Sequence, residues 1–251
     1  MEQSGYTKLN NIINQLEQIC NQSIQDKETI KVIYSRINPK KDTRITSFSK
    51  MINIFSAVRL SLVFMQKGFN LNWWKGILCE ERLPESDILY YVRVFMSISK
   101  IGFVQLLFSN TESSLRIFLR ALDPNACNEG IGKFKSVYNC LFKSKLSIYP
   151  FEGIEFLDLF GLIRNTCHNN GVYFDPDKRD RTINWREKLY KFKHSTPIDF
   201  VNWPFIMKIS DAVRSLMYAV VTDKNLRLVT HEIKDPYEFV RESLKKSIEN
   251  Q

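Results

Sequence analysis

One short segment, residues 162–171, combines side chains that could act on a phosphodiester. Arg164 and His168 are four residues apart, so on a helix their Cβ atoms lie roughly 5 to 6 Å apart on one face. A fixed guanidinium stabilises negative charge on phosphoryl oxygens. An imidazole can take a proton from a ribose 2′-hydroxyl or return one to the leaving oxygen. With Asn165 binding the same phosphate or orienting the imidazole, this set predicts a metal-independent reaction on RNA.

A purely structural role would explain the same spacing. His168 would interact favourably with the dipole of a helix that ends there, by about 0.3 to 1 kcal/mol. Arg164 could simply neutralise Glu112 or Asp158. Gly161 costs a helix about 1 kcal/mol relative to Ala, which suggests either a space that Arg164 covers or the close approach of another helix. Spacing alone leaves these alternatives open.

Other familiar catalytic and metal-binding patterns are missing from the sequence. It has three His and neither H-x-H nor H-E-x-x-H, and its five Cys form no C-x-x-C pair. Residues 129–133 lack the spacing of a phosphate-binding loop, and no G-x-S-x-G occurs. We therefore expect no metal and no cofactor.

The net charge of +9 is concentrated in three loop-rich segments. Residues 35–50 carry +4, residues 129–145 carry +3 and residues 170–195 carry +3, so the rest of the chain is close to neutral. This distribution favours a phosphate-binding surface, although the segments could equally be solvated loops that lie far apart. Aromatic side chains in the last two segments could stack on single-stranded bases or pack a hairpin onto helices: Tyr138, Phe142, Tyr173, Trp185, Tyr190 and Phe192.

The composition is that of a globular protein. The 251 residues are 44% hydrophobic and 25% charged, enough to bury a core, and low Gly and Pro contents exclude collagen-like and low-complexity classes. The odd number of cysteines, the lack of a C-x-x-C pair and an N-terminus without a signal pattern predict reduced thiols and a cytoplasmic location. The most apolar segment, residues 88–108, contains Arg93 and Lys100, each costing roughly 3 kcal/mol in a bilayer, so we expect a buried helix and no membrane.

Apolar spacing predicts a mainly α-helical bundle with a small β-hairpin insertion, as a single domain over residues 1–251. No linker or repeat divides it. In the N-terminal part, residues 1–80, we expect helices over residues 9–24 and 27–37, a break at Asn38-Pro39, a basic loop over 39–44, a helix capped by Ser47 that stops near Gly68, and an aromatic turn at Trp73-Trp74.

The core, residues 86–222, contains the strongest helical periodicity, over residues 86–122, with a possible break near Gly102 or Asn110. Its inward face is Val104, Leu107, Phe108, Leu115, Phe118, Leu119 and Leu122. The remaining predicted elements are helices over 133–143 and 151–168, a helix end at Asn169-Asn170-Gly171, a hairpin at about 180–194, a helix after Pro204 and a C-terminal helix over 235–248.

The string at residues 163–171, at the end of a predicted helix, resembles the Arg-polar-x-x-x-His signature of HEPN proteins (higher eukaryotes and prokaryotes nucleotide-binding). Residues 111–116 look like the other central helix of that family, with an acidic residue facing the motif helix. The hairpin and the stretch at residues 196–200 look like variants with an inserted strand pair. The resemblance covers residues 86–222.

The resemblance implies a helical bundle that dimerises so that two motif helices meet, in a family rich in metal-independent endoribonucleases of toxin–antitoxin and antiviral systems. Arg164 would then be the phosphate-stabilising residue, His168 the acid/base and Asn165 the polar residue after the arginine. The further candidate binding residues are Glu112, Asn169, Arg181 and Lys191. The expected partners are single-stranded RNA, a second copy of the chain and a cognate antitoxin or defence protein.

The chain departs from the family pattern at one point. The family usually places four to six residues between the arginine and the histidine, whereas this chain has three, residues 165–167. The alternative function is therefore a non-catalytic interaction or nucleotide-binding module of the same fold.

Overall fold

The computed structural model describes residues 2–68, 84–126, 133–147 and 151–236. The expected fold class is confirmed: the protein is mainly α-helical with a small β insertion. The helices are α1 (Glu2–Ile33), α2 (Thr43–Gly68), α3 (Glu85–Leu122), α4 (Phe134–Cys140), α5 (Phe151–His168), α6 (Trp203–Val221) and α7 (Lys224–Arg227), and a π-helical turn, Leu141–Lys145, follows α4.

The β insertion lies between α5 and α6 and consists of β1 (Val172–Tyr173), β2 (Arg181–Trp185), β3 (Lys188–Phe192) and β4 (Thr196–Pro197). Strands β2 and β3 form the predicted antiparallel hairpin, with Ile183 opposite Tyr190. Arg186 and Glu187 at its tip have φ of 49° and 59°, the left-handed pair that a two-residue hairpin turn requires. The pairing of β1 with β4 at the base was not predicted.

The N-terminal helices differ from the prediction in two ways. One continuous helix, α1, replaces the two predicted helices, because no Gly or Pro interrupts residues 21–33 and a polar face does not end a helix. Helix α2 begins at Thr43, so Ser47 does not cap it and is instead buried within it. Asp42 takes the capping role, since its carboxylate accepts a hydrogen bond from the backbone N–H of Arg44 at 2.9 Å.

Helix α3 runs without a break through Gly102 and Asn110. The amide of Asn110 donates to the carbonyl of Ser47 at 3.2 Å, so this polar residue ties α3 to α2 rather than ending the helix. The predicted inward face is confirmed: six of its seven members are buried, and Leu122 is half-buried. From Phe103 onward α3 is therefore a core helix.

The N-terminal half of α3 is different, and the expectation of a buried helix over residues 88–108 is wrong there. Tyr91 and Ile98 are 54% and 60% exposed. By length and composition alone, the helices over residues 43–68 and 86–122 are apolar enough to cross a membrane. Sequence patterning identified an apolar helix correctly, but it could not show that only half of that helix has a partner within the described part of the chain.

The core lies between the long helices and extends over the hairpin. Helix α6 contributes the predicted inward residues Ile206, Ile209, Val213, Leu216, Met217 and Val220, all buried. The hairpin packs against α5, and the ring of Trp185 lies 5.4 Å from that of Phe156. The predicted turn at Trp73-Trp74 and the C-terminal helix beyond residue 236 lie outside the described residues.

The cysteines do not all match the expectation of reduced thiols. Cys20 and Cys167 are free, and burial raises the pKa of the Cys167 thiol. Cys140, at the end of α4, is disulfide-bonded, so the expectation is wrong at this position. A disulfide depends on which cysteines the fold brings together, and spacing along the chain does not reveal that.

Candidate nucleic-acid interface

A cavity of about 450 Å³ opens where α5 meets α3, α4 and β2. We call it the α5 cavity. It is lined by Phe108 and Glu112 of α3, by Lys133, Phe134, Lys135 and Tyr138 at and just before α4, by Leu157, Asp158, Gly161, Leu162, Arg164 and Asn165 of α5, and by Arg181 and Ile183 of β2.

Among the described residues of this lining, cations outnumber carboxylates by four to two. Two of the basic segments predicted from the sequence meet here, since residues 129–145 supply Lys133 and Lys135 and residues 170–195 supply Arg181. Arg164, from neither segment, is the fourth cation. The α5 cavity is therefore a concave surface with an excess of positive charge, the arrangement that attracts a phosphate.

The third basic segment, residues 35–50, does not join this surface. Arg44 is completely buried and paired with Asp42, their side chains 2.7 Å apart. Lys50 pairs with the buried side chain of Asp235. The expectation that this segment is a solvent-facing basic loop is wrong at Arg44, because residues far along the chain fold over it.

Arg164 has no ion pair with any carboxylate that the structure describes. Its guanidinium carbon lies 5.5 Å from the ring centroid of Phe108, and its Nη1 donates to Oδ1 of Asn165 at 3.2 Å. The aromatic ring and the amide hold the guanidinium in place while leaving most of its N–H donors for a ligand. This is the feature expected of a phosphate-binding arginine.

Both carboxylates suggested as structural partners of Arg164 pair elsewhere. Glu112 accepts from Arg116, one turn further along α3, at 2.6 Å. Asp158 pairs with Lys135 at 2.7 Å and also accepts the hydroxyl of Tyr138. The hypothesis that Arg164 neutralises Glu112 or Asp158 is therefore wrong.

Tyr138 is anchored in the cavity wall. Burial raises the pKa of its hydroxyl, and the hydrogen bond to Asp158 raises it further. The hydroxyl consequently stays protonated and donates to the carboxylate throughout the neutral range. The bond fixes Asp158 in the cavity lining, where its charge is compensated by Lys135.

Arg181 is held at the cavity rim by Asp175, with 2.8 Å between the side chains. Burial acts to raise the pKa of Asp175, but the backbone N–H of Asp177, the Tyr173 hydroxyl and Arg181 outweigh it and hold this pKa below its usual range. Burial, helped by the hydrogen bond to Asp175, raises the pKa of Tyr173 to about 12. Asp175 therefore holds the guanidinium of Arg181 in place, and this half-exposed side chain lines the cavity.

The other predicted site residues lie outside the α5 cavity. His168 is the last residue of α5 and is exposed, but it does not line the cavity. Asn169 is exposed and donates to the carbonyl of Asn165 at 3.3 Å. Lys191 is exposed on β3, opposite Thr182. The structure thus brings Arg164, Asn165, Glu112 and Arg181 together and leaves the other three at the surface.

Gly161 lies beside open space in the structure. A Cβ atom built on it would meet nothing within 4 Å, so no helix approaches closely there. The glycine instead forms part of the cavity wall, beside Arg164. Of the two alternatives, the one that assigned Gly161 to space near Arg164 agrees with the structure.

Gly161→Ala should raise the free energy of unfolding by about 0.5 to 1 kcal/mol, because alanine loses less entropy in a helix and the new methyl group meets open space. The matched control is Gly171→Ala. Gly171 has φ of +85° at the end of α5, a conformation that is strained for a residue with a Cβ atom. This variant should therefore lower the free energy of unfolding by roughly 1 to 2 kcal/mol. Thermal unfolding of both variants checks the prediction, and a lower melting temperature for Gly161→Ala would contradict it.

The aromatic side chains proposed to stack on bases are buried, so that hypothesis is wrong and the packing alternative is correct. All six are at most 4% exposed: Tyr138, Phe142, Tyr173, Trp185, Tyr190 and Phe192. One face of the hairpin carries Trp185, Tyr190 and Phe192 onto the helices, as alternation on a half-buried strand pair requires. Phe134, also on α4, is half-buried and lines the cavity together with Tyr138.

Sequence reasoning did not single out several residues that line the cavity, above all Lys133 and Lys135. The available signal was the excess charge of residues 129–145, which marked the segment without identifying its members. Among the described residues, no group of three or more His, Cys, Asp or Glu side chains could hold a metal ion. As it stands, the cavity can bind an anion through guanidinium and ammonium groups.

Comparisons with known proteins add no assignment: no family model, no curated protein and no solved structure matches this chain.

Proposed function

We propose that the protein is a HEPN-like RNA-binding protein that binds single-stranded RNA in the α5 cavity and cleaves it without a metal ion. The observation that carries the proposal is the guanidinium of Arg164, which pairs with no described carboxylate and lies in a cavity whose described residues include an excess of cations. The resemblance of residues 163–171 to the family signature supports the choice of RNA.

The phosphate-binding step rests on electrostatics and on the donors that remain free. Arg164 would place two parallel N–H groups on one phosphate, since its planar fork matches phosphoryl oxygens. Lys133 and Arg181, at the rim, would attract the neighbouring phosphates of a flexible strand. Binding of this kind weakens steeply as salt is added, because phosphate contacts release counterions.

The cleavage step assigns a proton-transfer role to His168. It lies one helical turn beyond Arg164 at the exposed end of α5, so one phosphodiester can contact both side chains. The imidazole would take the proton from the ribose 2′-hydroxyl, whose oxygen then forms a bond to phosphorus as the bond from phosphorus to the 5′-oxygen of the next nucleotide breaks. The imidazolium would return that proton to the leaving 5′-oxygen, which gives a 2′,3′-cyclic phosphate and a 5′-hydroxyl. Arg164 would stabilise the negative charge that develops on the phosphoryl oxygens.

Cleavage and binding of a single-stranded RNA in excess EDTA test both steps. Arg164→Ala should weaken binding and slow cleavage at least about 100-fold, the loss typical of a charge-stabilising donor. His168→Ala should abolish cleavage and leave binding unchanged. Arg120→Ala removes an equally basic side chain that is exposed on α3 outside the cavity lining, so it should leave both activities unchanged.

A second candidate function is a non-catalytic module that binds nucleotides or RNA. The observation that favours it is that His168 does not line the α5 cavity. It predicts no cleavage by the wild type, no effect of His168→Ala and loss of binding in Arg164→Ala. Equal RNA binding by the wild type and Arg164→Ala would reject both functions.

The remaining predictions accompany this function as proposals. The family resemblance supports a homodimer and a cognate antitoxin or defence protein as partner. An RNA substrate is consistent with a cytoplasmic location and no membrane.

A further inference from the structure

An exposed apolar surface lies on α2 and the first half of α3. We call it the α2–α3 surface, and it consists of Phe64 on α2 and Tyr91, Val94, Phe95, Ile98 and Ile101 on α3. Each of these side chains is between 36 and 60% exposed. Leu60 and Tyr90 extend it at either side and are 56 and 62% exposed.

The surface is continuous and contains a depression. Five of its six members line one cavity of about 550 Å³, together with Met65, Gly68 and Val92. Apart from the hydroxyl of Tyr91, the side chains that the described residues contribute to this lining are apolar. Such a groove fits an apolar side chain and offers nothing to hold a charged or polar ligand.

Four members of the surface follow the spacing of a helix–helix seam. Positions 91, 94, 98 and 101 are separated by three, four and three residues, which is the a/d pattern of a helix that packs along another helix. Their exposure means that the described residues do not provide that second helix. An apolar seam on one face indicates a protein partner that is itself helical.

The size of the surface agrees with a stable protein interface. Since an aromatic side chain buries roughly 150 to 250 Å², the exposed fractions of the eight side chains leave on the order of 800 Å² of surface available. That area is what one partner contributes to an interface of standard size. It also exceeds the apolar patch of a typical monomer, about 300 to 600 Å².

We propose that the α2–α3 surface pairs with the same surface of a second copy of this chain. A surface with both projecting aromatic rings and an apolar groove is self-complementary under two-fold symmetry, because each copy supplies what the other accepts. Helix α5, where the family resemblance implies the dimer contact, has no large apolar side chain exposed among its described residues. This inference is independent of the proposed RNA binding.

A bilayer is the less suitable occupant. Arg93 and Lys100 lie on the same helix as the surface, and each costs roughly 3 kcal/mol at the centre of a membrane. From Phe103 onward the same helix is buried in the protein core, so α3 does not offer lipid an apolar face along its whole length. A protein partner covers the surface without burying either charge.

Sedimentation velocity of the full chain at micromolar concentration tests the proposal. The wild type should have twice the mass of one 29.6 kDa chain. Ile98→Glu should raise the dissociation constant at least about 100-fold and sediment as a monomer, because a carboxylate would be buried in an apolar interface. Leu189→Glu is the matched control: Leu189 is also 60% exposed but lies on β3, and this variant should stay dimeric.

Two kinds of result would overturn the proposal. The first is a monomeric wild type, or equal masses for the wild type and Ile98→Glu. The second is a wild type that floats with vesicles of phosphatidylcholine and phosphatidylserine while Ile98→Glu does not, which would assign the surface to a membrane. Arg164→Ala should remain dimeric, so a failure of RNA binding and a failure of pairing are distinguishable.

Discussion

Arg44→Ala is expected to lower the free energy of unfolding by about 3 to 5 kcal/mol, the loss typical of breaking a buried ion pair. Arg44 and Asp42 are both completely buried, and two guanidinium nitrogens donate to the carboxylate at 2.7 and 2.8 Å. Arg44 also donates to the backbone carbonyls of Leu226, Val229 and His231. Alanine would leave the charge of Asp42 and three carbonyls without these donors.

The loss should be a large share of the total stability, since domains are usually stable by about 5 to 15 kcal/mol. Urea unfolding followed by circular dichroism measures it. Lys41→Ala is the control, because Lys41 belongs to the same basic segment but is exposed, and it should change the unfolding free energy by less than about 0.5 kcal/mol. Arg44→Lys should fall between the two, because an ammonium group cannot replace the planar fork.

A loss below 1 kcal/mol in Arg44→Ala, on the order of the control, would contradict this account. It would mean that the segment around residue 44 is not held by residues 226–231 in solution.

Trp185→Ala should lower the free energy of unfolding by about 3 to 5 kcal/mol, because it opens a cavity between the hairpin and the helices. Trp185 is 2% exposed. Its ring centroid lies 5.4 Å from that of Phe156 on α5, 6.2 Å from that of Tyr190 and 6.4 Å from that of Phe205 on α6. Alanine would lose these ring contacts with α5, β3 and α6.

Leu189→Ala in the same hairpin is the control for this variant. Leu189 is 60% exposed, so its truncation should leave the free energy of unfolding nearly unchanged. Urea unfolding of both variants and of the wild type provides the comparison. If Trp185→Ala were as stable as Leu189→Ala, the hairpin would not be anchored on α5, and Arg181 on β2 would lack a fixed position at the cavity.

Local pattern was sufficient to predict much of the helical framework. Helix α5 was predicted with both of its ends, residues 151 and 168. Its last turn ends in Asn170 and Gly171, both with positive φ, as the prediction of a left-handed helix end requires. The inward faces of α3 and α6 and the hairpin were also predicted correctly. These features depend on residue periodicity and end signals within a few neighbours.

Helix continuity was predicted less well, because the local signals for a break are weak. A glycine in a helix costs about 1 kcal/mol, and Gly102 is outweighed by the packing of the buried residues that follow it in α3. Asn110 finds a partner on α2, which no local rule reports. In general, tertiary packing stabilises a long helix more than its own propensities do.

The candidate site was predicted in part. Arg164 and Asn165 were found because they lie on one helix at a recognisable spacing. Lys133 and Lys135 come from another segment, and only the fold places them opposite α5. His168 has the predicted spacing but lies outside the cavity lining, whose residues on α5 end at Asn165.

The amino-acid sequence alone determined the inventory of this protein: which helices form, which of their faces are apolar, and where cations are available. The tertiary structure decided what each of those groups meets. Arg44 and Arg164 have the same side chain. Arg44 is buried and bonded to carbonyls 182 to 187 residues away, whereas Arg164 lines a cavity together with Gly161. Burial and exposure depend on neighbours that are distant along the chain, and periodicity reports only on neighbours that are close.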